Sequence, residues 1–113
     1  MVQYSKTRLD ASFAALSDAT RRGVLEQLGR ADASITQLAE KFDMTLTGMK
    51  KHVQVLEGAG MVRTEKVGRV RVCRLGQQRL DAAAEWIRSY ADMVDARLDR
   101  LGAFLERTKG EEL

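Results

Sequence analysis

At Gly60 the apolar period of this chain changes, and that change limits what the chain can fold into. Before it, apolar residues recur every three or four positions, the spacing of amphipathic helices. From Met61 to Val67 and from Val70 to Leu75, β-branched and charged residues alternate instead, with Gly68-Arg69 between the two runs. Alternation broken by a two-residue glycine turn predicts a β-hairpin with an arginine at its tip. Beyond Leu75 the helical period returns and holds to Thr108. One hairpin inside an otherwise helical chain predicts a mainly α (α+β) fold. The complete lack of proline agrees, because nothing interrupts long helices.

The helices can be placed by their caps and stripes. Thr7–Ser17 carries Leu9, Phe13 and Leu16 on one face. Asp18 is positioned to cap the next segment, DATRRGVLEQLGR, whose stripe is Val24, Leu25 and Leu28 and whose end falls near Gly29. Arg21 and Arg22 read as solvated side chains. Ser34–Phe42 is a short third helix with Ile35, Leu38, Ala39 and Phe42 inward. Ser34 with Gln37 fits a capping box, and Thr36 is a competing cap. Thr45 then caps a fourth helix that Gly60 stops.

In that fourth helix Met49, Val53 and Leu56 fall on one side, and Thr47, Lys50, Lys51 and Gln54 on the other. A polar front of this kind suits the DNA major groove: lysines for phosphate or guanine, Gln54 for an adenine edge. An ordinary amphipathic surface helix has the same periodicity. Gly48 costs ~1 kcal/mol against alanine inside a helix; it permits close approach to the third helix or to a phosphate, or it is tolerated drift. Two short helices joined by about three residues, the second with a polar front, predict a helix-turn-helix over residues 34–60. With the hairpin at 61–75 as a two-stranded β wing, the whole reads as a winged helix.

The distribution of charge favours a polyanionic partner. Formal net charge is only +3, but residues 45–79 hold eight basic side chains and just two acidic ones, Glu57 and Glu65. Residues 1–44 balance, and residues 80–113 are net acidic. All the excess positive charge therefore lies in the fourth helix and the wing, whose cations include Arg63, Lys66, Arg69 and Arg71. Nucleic acid is the commonest partner for such a footprint. Apolar residues at 44% and charged residues at 31% describe a globular chain long enough for one domain, expected to span residues 1–113. No apolar run approaches a membrane span, no signal-peptide core opens the chain, and one cysteine cannot form an intrachain disulfide; a cytoplasmic protein is expected.

Residues 77–108 read as a final helix of roughly 45 Å at ~1.5 Å per residue. Ile87, Tyr90, Val94, Leu98, Leu101 and Leu105 recur along it, and Trp86, Met93 and Phe104 widen the stripe. A small winged-helix core cannot cover so long a stripe. A second copy of the helix can, with Phe13 and Leu16 of the first helix (7–17) contributing, so a homodimer is expected.

These motifs together resemble the ArsR/SmtB family of winged-helix bacterial repressors. LSDATRRGVLEQL resembles the second-helix signature, with Ala19 where proline is usual. ITQLAEKFDMT resembles the third-helix motif, MKKHVQVLEGAGMV the recognition-helix motif with its Lys51-His52 pair, and VGRVRVCRL the wing. The final helix, with EWI, RLD and LGAFLE, resembles small autorepressor-like members without metal sites. The resemblance covers about Leu9 to Leu75. It implies a homodimer on an imperfect inverted repeat of double-stranded DNA near a promoter, bound at the bacterial nucleoid. It implies that Thr45, Thr47, Lys50, Lys51 and His52 face DNA and that Arg69 reaches a minor groove. Lys50 stands where the family often has serine, so no operator sequence carries over from the resemblance.

The family's sensing sites do not carry over. Thiolate sensors place cysteines in the third helix, where ASITQLAEK has none; zinc sensors place Asp and His pairs on the last helix, which has no histidine. Asp92, Asp95 and Asp99 line up there, but carboxylates alone suit weakly held hard cations, and Arg88 pairs with Asp92 at i,i+4. No metal or cofactor is indicated, and the residues do not tell whether an effector exists. Cys73 shares a strand face with Leu75 and is expected to pack inward; exposed, its neighbours Arg71 and Arg74 would lower its pKa. No Ser/His/Asp or Cys/His arrangement and no phosphate-cradling glycine loop points to an enzyme. The alternatives are a winged helix that docks an acidic protein, and a redox- or ligand-responsive sensor of the same family.

Overall fold

The computed structural model describes residues 2–111, with side chains from Arg8 to Lys109. Its chain runs α1 (Val2–Leu16), α2 (Ala19–Arg30), β1 (Ala33–Ser34), α3 (Ile35–Lys41), α4 (Leu46–Gly58), β2 (Val62–Val67), β3 (Val70–Leu75) and α5 (Asp81–Glu111). Two units result, one ending at Leu80 and one beginning at Asp81. The helix-turn-helix and wing lie in the first, and the long helix is the second.

Local chemistry sets the boundaries of the first unit. Asp18 caps α2 by accepting from the Arg21 amide at 3.0 Å. Ser34 and Gln37 form both halves of a capping box at α3, so Thr36 is an interior residue of that helix. Thr45 caps α4 through the Gly48 amide at 3.0 Å. Both helices of the helix-turn-helix end in the same way. After α3, Asp43 takes φ 54°, and the Met44 and Asp43 amides donate back to the Ala39 and Glu40 carbonyls at 2.8 and 3.2 Å. After α4, Gly60 takes φ 78°, and the Met61 and Gly60 amides donate to the Leu56 and Glu57 carbonyls, each at 3.0 Å. These are Schellman turns, which need one left-handed residue each.

Leu38, Met49, Leu56, Val24, Val53 and Cys73 are the large, fully buried side chains, and Leu28, Ile35, Met61 and Val62 join them in one core. Each such aliphatic side chain contributes ~1.5–3 kcal/mol by leaving water. Leu16, Leu25, Phe42, Met44 and Leu80 pack against its edge. Leu16 thus has a place in its own domain, in addition to the interface role expected of it, and Phe13 is half-buried.

The sheet departs from the two-stranded wing. It has three antiparallel strands in the order β1-β3-β2, with Ala33 opposite Cys73 and Ser34 opposite Val72. The chain approaching the α3 cap is extended, with Ser34 at ψ 160°, and it pairs with a β3 edge that would otherwise be open. Between β2 and β3 the register closes at Val67 opposite Val70. Gly68 alone has positive φ in this two-residue turn (64°), the pattern of a type II′ hairpin.

The last helix begins four residues later than the periodicity predicts, at Asp81 instead of Gln77. The intervening backbone is engaged elsewhere: the Gly76 amide donates to the Met61 carbonyl at 2.7 Å and the Gln78 amide to the Gly60 carbonyl at 3.1 Å. Leu80 then turns left-handed at φ 60° while packing on the core edge. Within α5, Trp86, Ile87, Tyr90, Met93, Leu98, Leu101, Phe104 and Leu105 are each more than half exposed, and Val94 is partly covered. The Trp86 and Tyr90 rings stack at 5.6 Å with 3° between their planes.

The Gly60–Gly76 crossing leaves no space for a side chain: a Cβ on Gly76 would lie 2.3 Å from the Gly60 carbonyl oxygen. Gly76→Ala is therefore expected to lower unfolding free energy by ~1–3 kcal/mol, through strain and loss of the bond to Met61. Gly29→Ala, where a Cβ meets nothing, is expected to raise it by up to ~1 kcal/mol. Urea denaturation of the two variants decides; equal effects would remove the close approach as the cause.

Candidate nucleic-acid interface

The exposed side of α4 follows from its buried side. With Met49, Val53 and Leu56 inside, the helical period turns Thr47, Lys51 and Gln54 directly outward, and all three are exposed. Lys50 and Glu57 lie on the flank next to the wing. Thr45 is exposed at the helix start, but its hydroxyl is already used in the cap. Gly48 does not approach α3. A Cβ there would meet Thr45 Oγ1 at 3.1 Å and the Met44 side-chain terminus at 3.3 Å, so its small size serves the turn itself.

His52 departs from the expected arrangement. About 100° of helix separates it from Lys51, on the flank away from the wing. Its side chain is only 21% exposed; Nδ1 lies 3.2 Å from an Arg21 guanidinium nitrogen and 3.8 Å from Asp18 Oδ2. It therefore joins α4 to the start of α2, not to the outward face. Arg21 likewise is no solvated side chain. Its guanidinium donates to the Ala14 and Ala15 carbonyls, each at 2.8 Å, and that of Arg22 donates to the Leu16 carbonyl at 2.7 Å. Two arginines thus satisfy the orphan carbonyls at the end of α1 and oppose its dipole. The Arg21 amide bond, aided by the His52 and Arg21 charges, holds the Asp18 carboxyl below its ordinary value against a smaller desolvation effect. The sequence signal for this cluster was the pair of arginines three and four residues after a cap.

The pleat divides the wing's charges between its two faces. Thr64, Lys66, Arg71 and Cys73 share one face, since Thr64 pairs with Cys73 and Lys66 with Arg71. Arg63, Glu65 and Arg74 share the other. There Arg74 contacts Glu65 and donates to Asp32 at 3.1 Å, which neutralises much of that face. Arg69 stands exposed at the tip, and Lys66 and Arg71 are exposed along the strands. On the first face, Lys50 and Gln54 of α4 and Arg71 of the wing line one open groove of about 310 Å³. The groove therefore brings together cations from both motifs.

Cys73, on this same face, is fully buried, as its alternation implies, although its partner in the pattern, Leu75, is 44% exposed. Burial pushes its thiol up to about 11; the Glu57 carboxylate adds to the rise and Arg71 opposes it. Among the described residues no three His, Cys, Asp or Glu side chains gather as a metal site, and no helix is long and apolar enough to cross a membrane.

Comparison with known proteins agrees with this geometry. A family described as a helix-turn-helix domain matches residues 16–65. The chain is 39% identical over 70 residues to an uncharacterised HTH-type transcriptional regulator of Bacillus subtilis, YuzN, covering 56% of this chain and 76% of that protein. Among solved structures it is similar to an ArsR family transcriptional regulator, RHA00566, with 38% identity, a TM-score of 0.72, and 80% of this chain and 93% of that one covered. It is also similar to an ArsR-like transcriptional regulator from Rhodococcus sp. RHA1, with 33% identity, a TM-score of 0.76, and 94% and 97% covered.

The buried, protonated thiol has a chemical consequence. Iodoacetamide at pH 8 is expected to label Cys73 at least about tenfold more slowly in the native chain than in urea, because reaction needs exposed thiolate. Equal rates would put the thiol at the surface.

Proposed function

This chain belongs to the ArsR family of winged helix-turn-helix transcriptional regulators, and from that premise we propose that it acts as a homodimeric repressor of an inverted-repeat operator. The observation that carries the reading is the continuity of the basic face: Thr47, Lys51 and Gln54 outward on α4, then Lys50, then Lys66 and Arg71 on the adjoining wing face, with Arg69 at the tip. In this reading α4 enters a major groove, its lysines hold phosphate or guanine, and Gln54 reads an adenine edge. Arg69 reaches the neighbouring minor groove. Thr45 contributes as the cap that begins the helix, and His52 holds the flank of the helix away from the wing through Arg21. The relatives are transcriptional regulators, a non-enzymatic family, and no catalytic role is proposed for any residue.

Dimerisation supplies the second half-site. The stripe of Trp86, Ile87, Tyr90, Val94, Leu98, Leu101 and Leu105 on α5, all but Val94 more than half exposed, is long enough to pair with its copy, and Phe13 and Leu16 of α1 are proposed as further contacts of the dimer. Two copies of α4 about one DNA turn apart (~34 Å) then occupy successive major grooves and exclude polymerase.

Two tests address these roles. Lys51→Ala is expected to weaken binding to every duplex and reduce the slope of log K against log salt by about one, whereas Gln54→Ala is expected to change sequence preference by ~1–3 kcal/mol with little effect on random DNA. Mobility shifts on upstream and random duplexes at two salt concentrations measure both. No preference in the wild type, with retention on an acidic protein, would overturn DNA reading. Leu98→Glu is expected to convert the dimer to monomer in analytical ultracentrifugation and to abolish the footprint at protein concentrations that protect wild-type DNA; an unchanged dimer would remove α5 as the interface.

A further inference from the structure

Glu57 is the one acidic residue of α4, and it lies on the flank that faces the wing. A carboxylate on a DNA-reading surface repels phosphate, so its presence there needs a physical reason. The other carboxylate of the basic region, Glu65, is held by Arg74 on the opposite face of the hairpin. Glu57 instead accepts a hydrogen bond from Thr64 Oγ1 at 3.0 Å. The same oxygen accepts from an Arg71 guanidinium nitrogen at 3.1 Å. A threonine hydroxyl has one proton to give and lone pairs to receive, so the relay has a single direction, from Arg71 through Thr64 to Glu57. It crosses from the wing to α4 and ends in the groove lined by Lys50, Gln54, Glu57, Thr64 and Arg71.

We infer that Thr64 and Glu57 are positioning residues that determine sequence specificity by holding Arg71 of the wing in register with Lys50 and Gln54 on α4. A free arginine samples many rotamers and meets phosphate at any register, which adds affinity for every duplex alike. An arginine fixed against the reading helix meets its phosphate only when α4 is seated on the base pairs it reads. The relay therefore converts a sequence-independent charge into one conditional on register. Cys73, Cα partner of Thr64 on β3, anchors this strand pair in the core, so the hydroxyl is placed by rigid backbone. The inference rests on the DNA-reading role proposed above.

The test uses the full chain and two duplexes: one selected by the wild type from a randomised pool, and one random. Freeing one arginine side chain costs about 3- to 10-fold in affinity. Thr64→Val is expected to lose that factor on the selected duplex and less than twofold on random DNA, with thermal unfolding confirming the fold. Thr64→Ser keeps the relay and is expected to stay within twofold of wild type on both. In an Arg71→Ala background, Thr64→Val is expected to change nothing, which a merely structural role of the hydroxyl would not produce. Glu57→Ala is expected to lower the selected-to-random ratio at least as far, because losing the carboxylate also raises affinity for random DNA. The inference is overturned by wild-type binding of Thr64→Val to the selected duplex, by equal losses on both duplexes, or by an effect that persists without Arg71. A wild type that selects no preferred duplex removes the regulator reading, and this inference with it. A wild type that selects one while Thr64→Val matches it removes this inference alone.

Discussion

Everything α4 presents to solvent depends on what its other side buries. Met49, Val53 and Leu56 are at or below 1% exposure and pack in one core with Leu38 of α3 and Val24 of α2. That burial fixes the rotation of the helix about its axis, and hence which side chains face out. The Schellman turns at Asp43 and Gly60 fix its two ends in the same way. A helix of 13 residues has little stability alone, so its geometry is inherited from the core and from those turns.

The charged groups around α4 then fall into two kinds. Some are used inside the protein: Arg21 and Arg22 end α1, Asp18 begins α2, His52 lies against Arg21, and Arg74 is balanced by Asp32 and Glu65. Others remain on the surface that α4 shares with the wing, namely Lys50, Lys51, Lys66 and Arg71. The sorting is geometric. A side chain beside helix carbonyls is drawn into satisfying them, whereas one on the outward arc stays at the surface, as Arg71 does even while it donates to Thr64.

Much of this was legible in the residues. Caps at Asp18, Ser34 and Thr45, the stop at Gly60 and the turn at Gly68-Arg69 are short-range features whose chemistry involves neighbours within a few positions. So is the division of α4 into a buried and an exposed side. Three things were not legible. The strand at Ala33–Ser34 exists only because β3 lies beside it. The start of α5 is delayed because Gly76 and Gln78 bond to residues some 15 to 18 positions earlier. His52 is turned inward because Arg21, thirty-one residues away, lies next to it.

The sequence by itself therefore determined the elements, the helix-turn-helix with its wing, the apolar stripe of α5 and the concentration of positive charge between residues 45 and 79. Those are consequences of period, capping and composition, which act locally along the chain. Only the tertiary structure decided which charges are spent and which are available, because hydrogen bonding is settled by proximity in space. It turned His52 and Arg21 toward each other, paired Arg74 with Asp32 and Glu65, and joined Arg71 through Thr64 to Glu57.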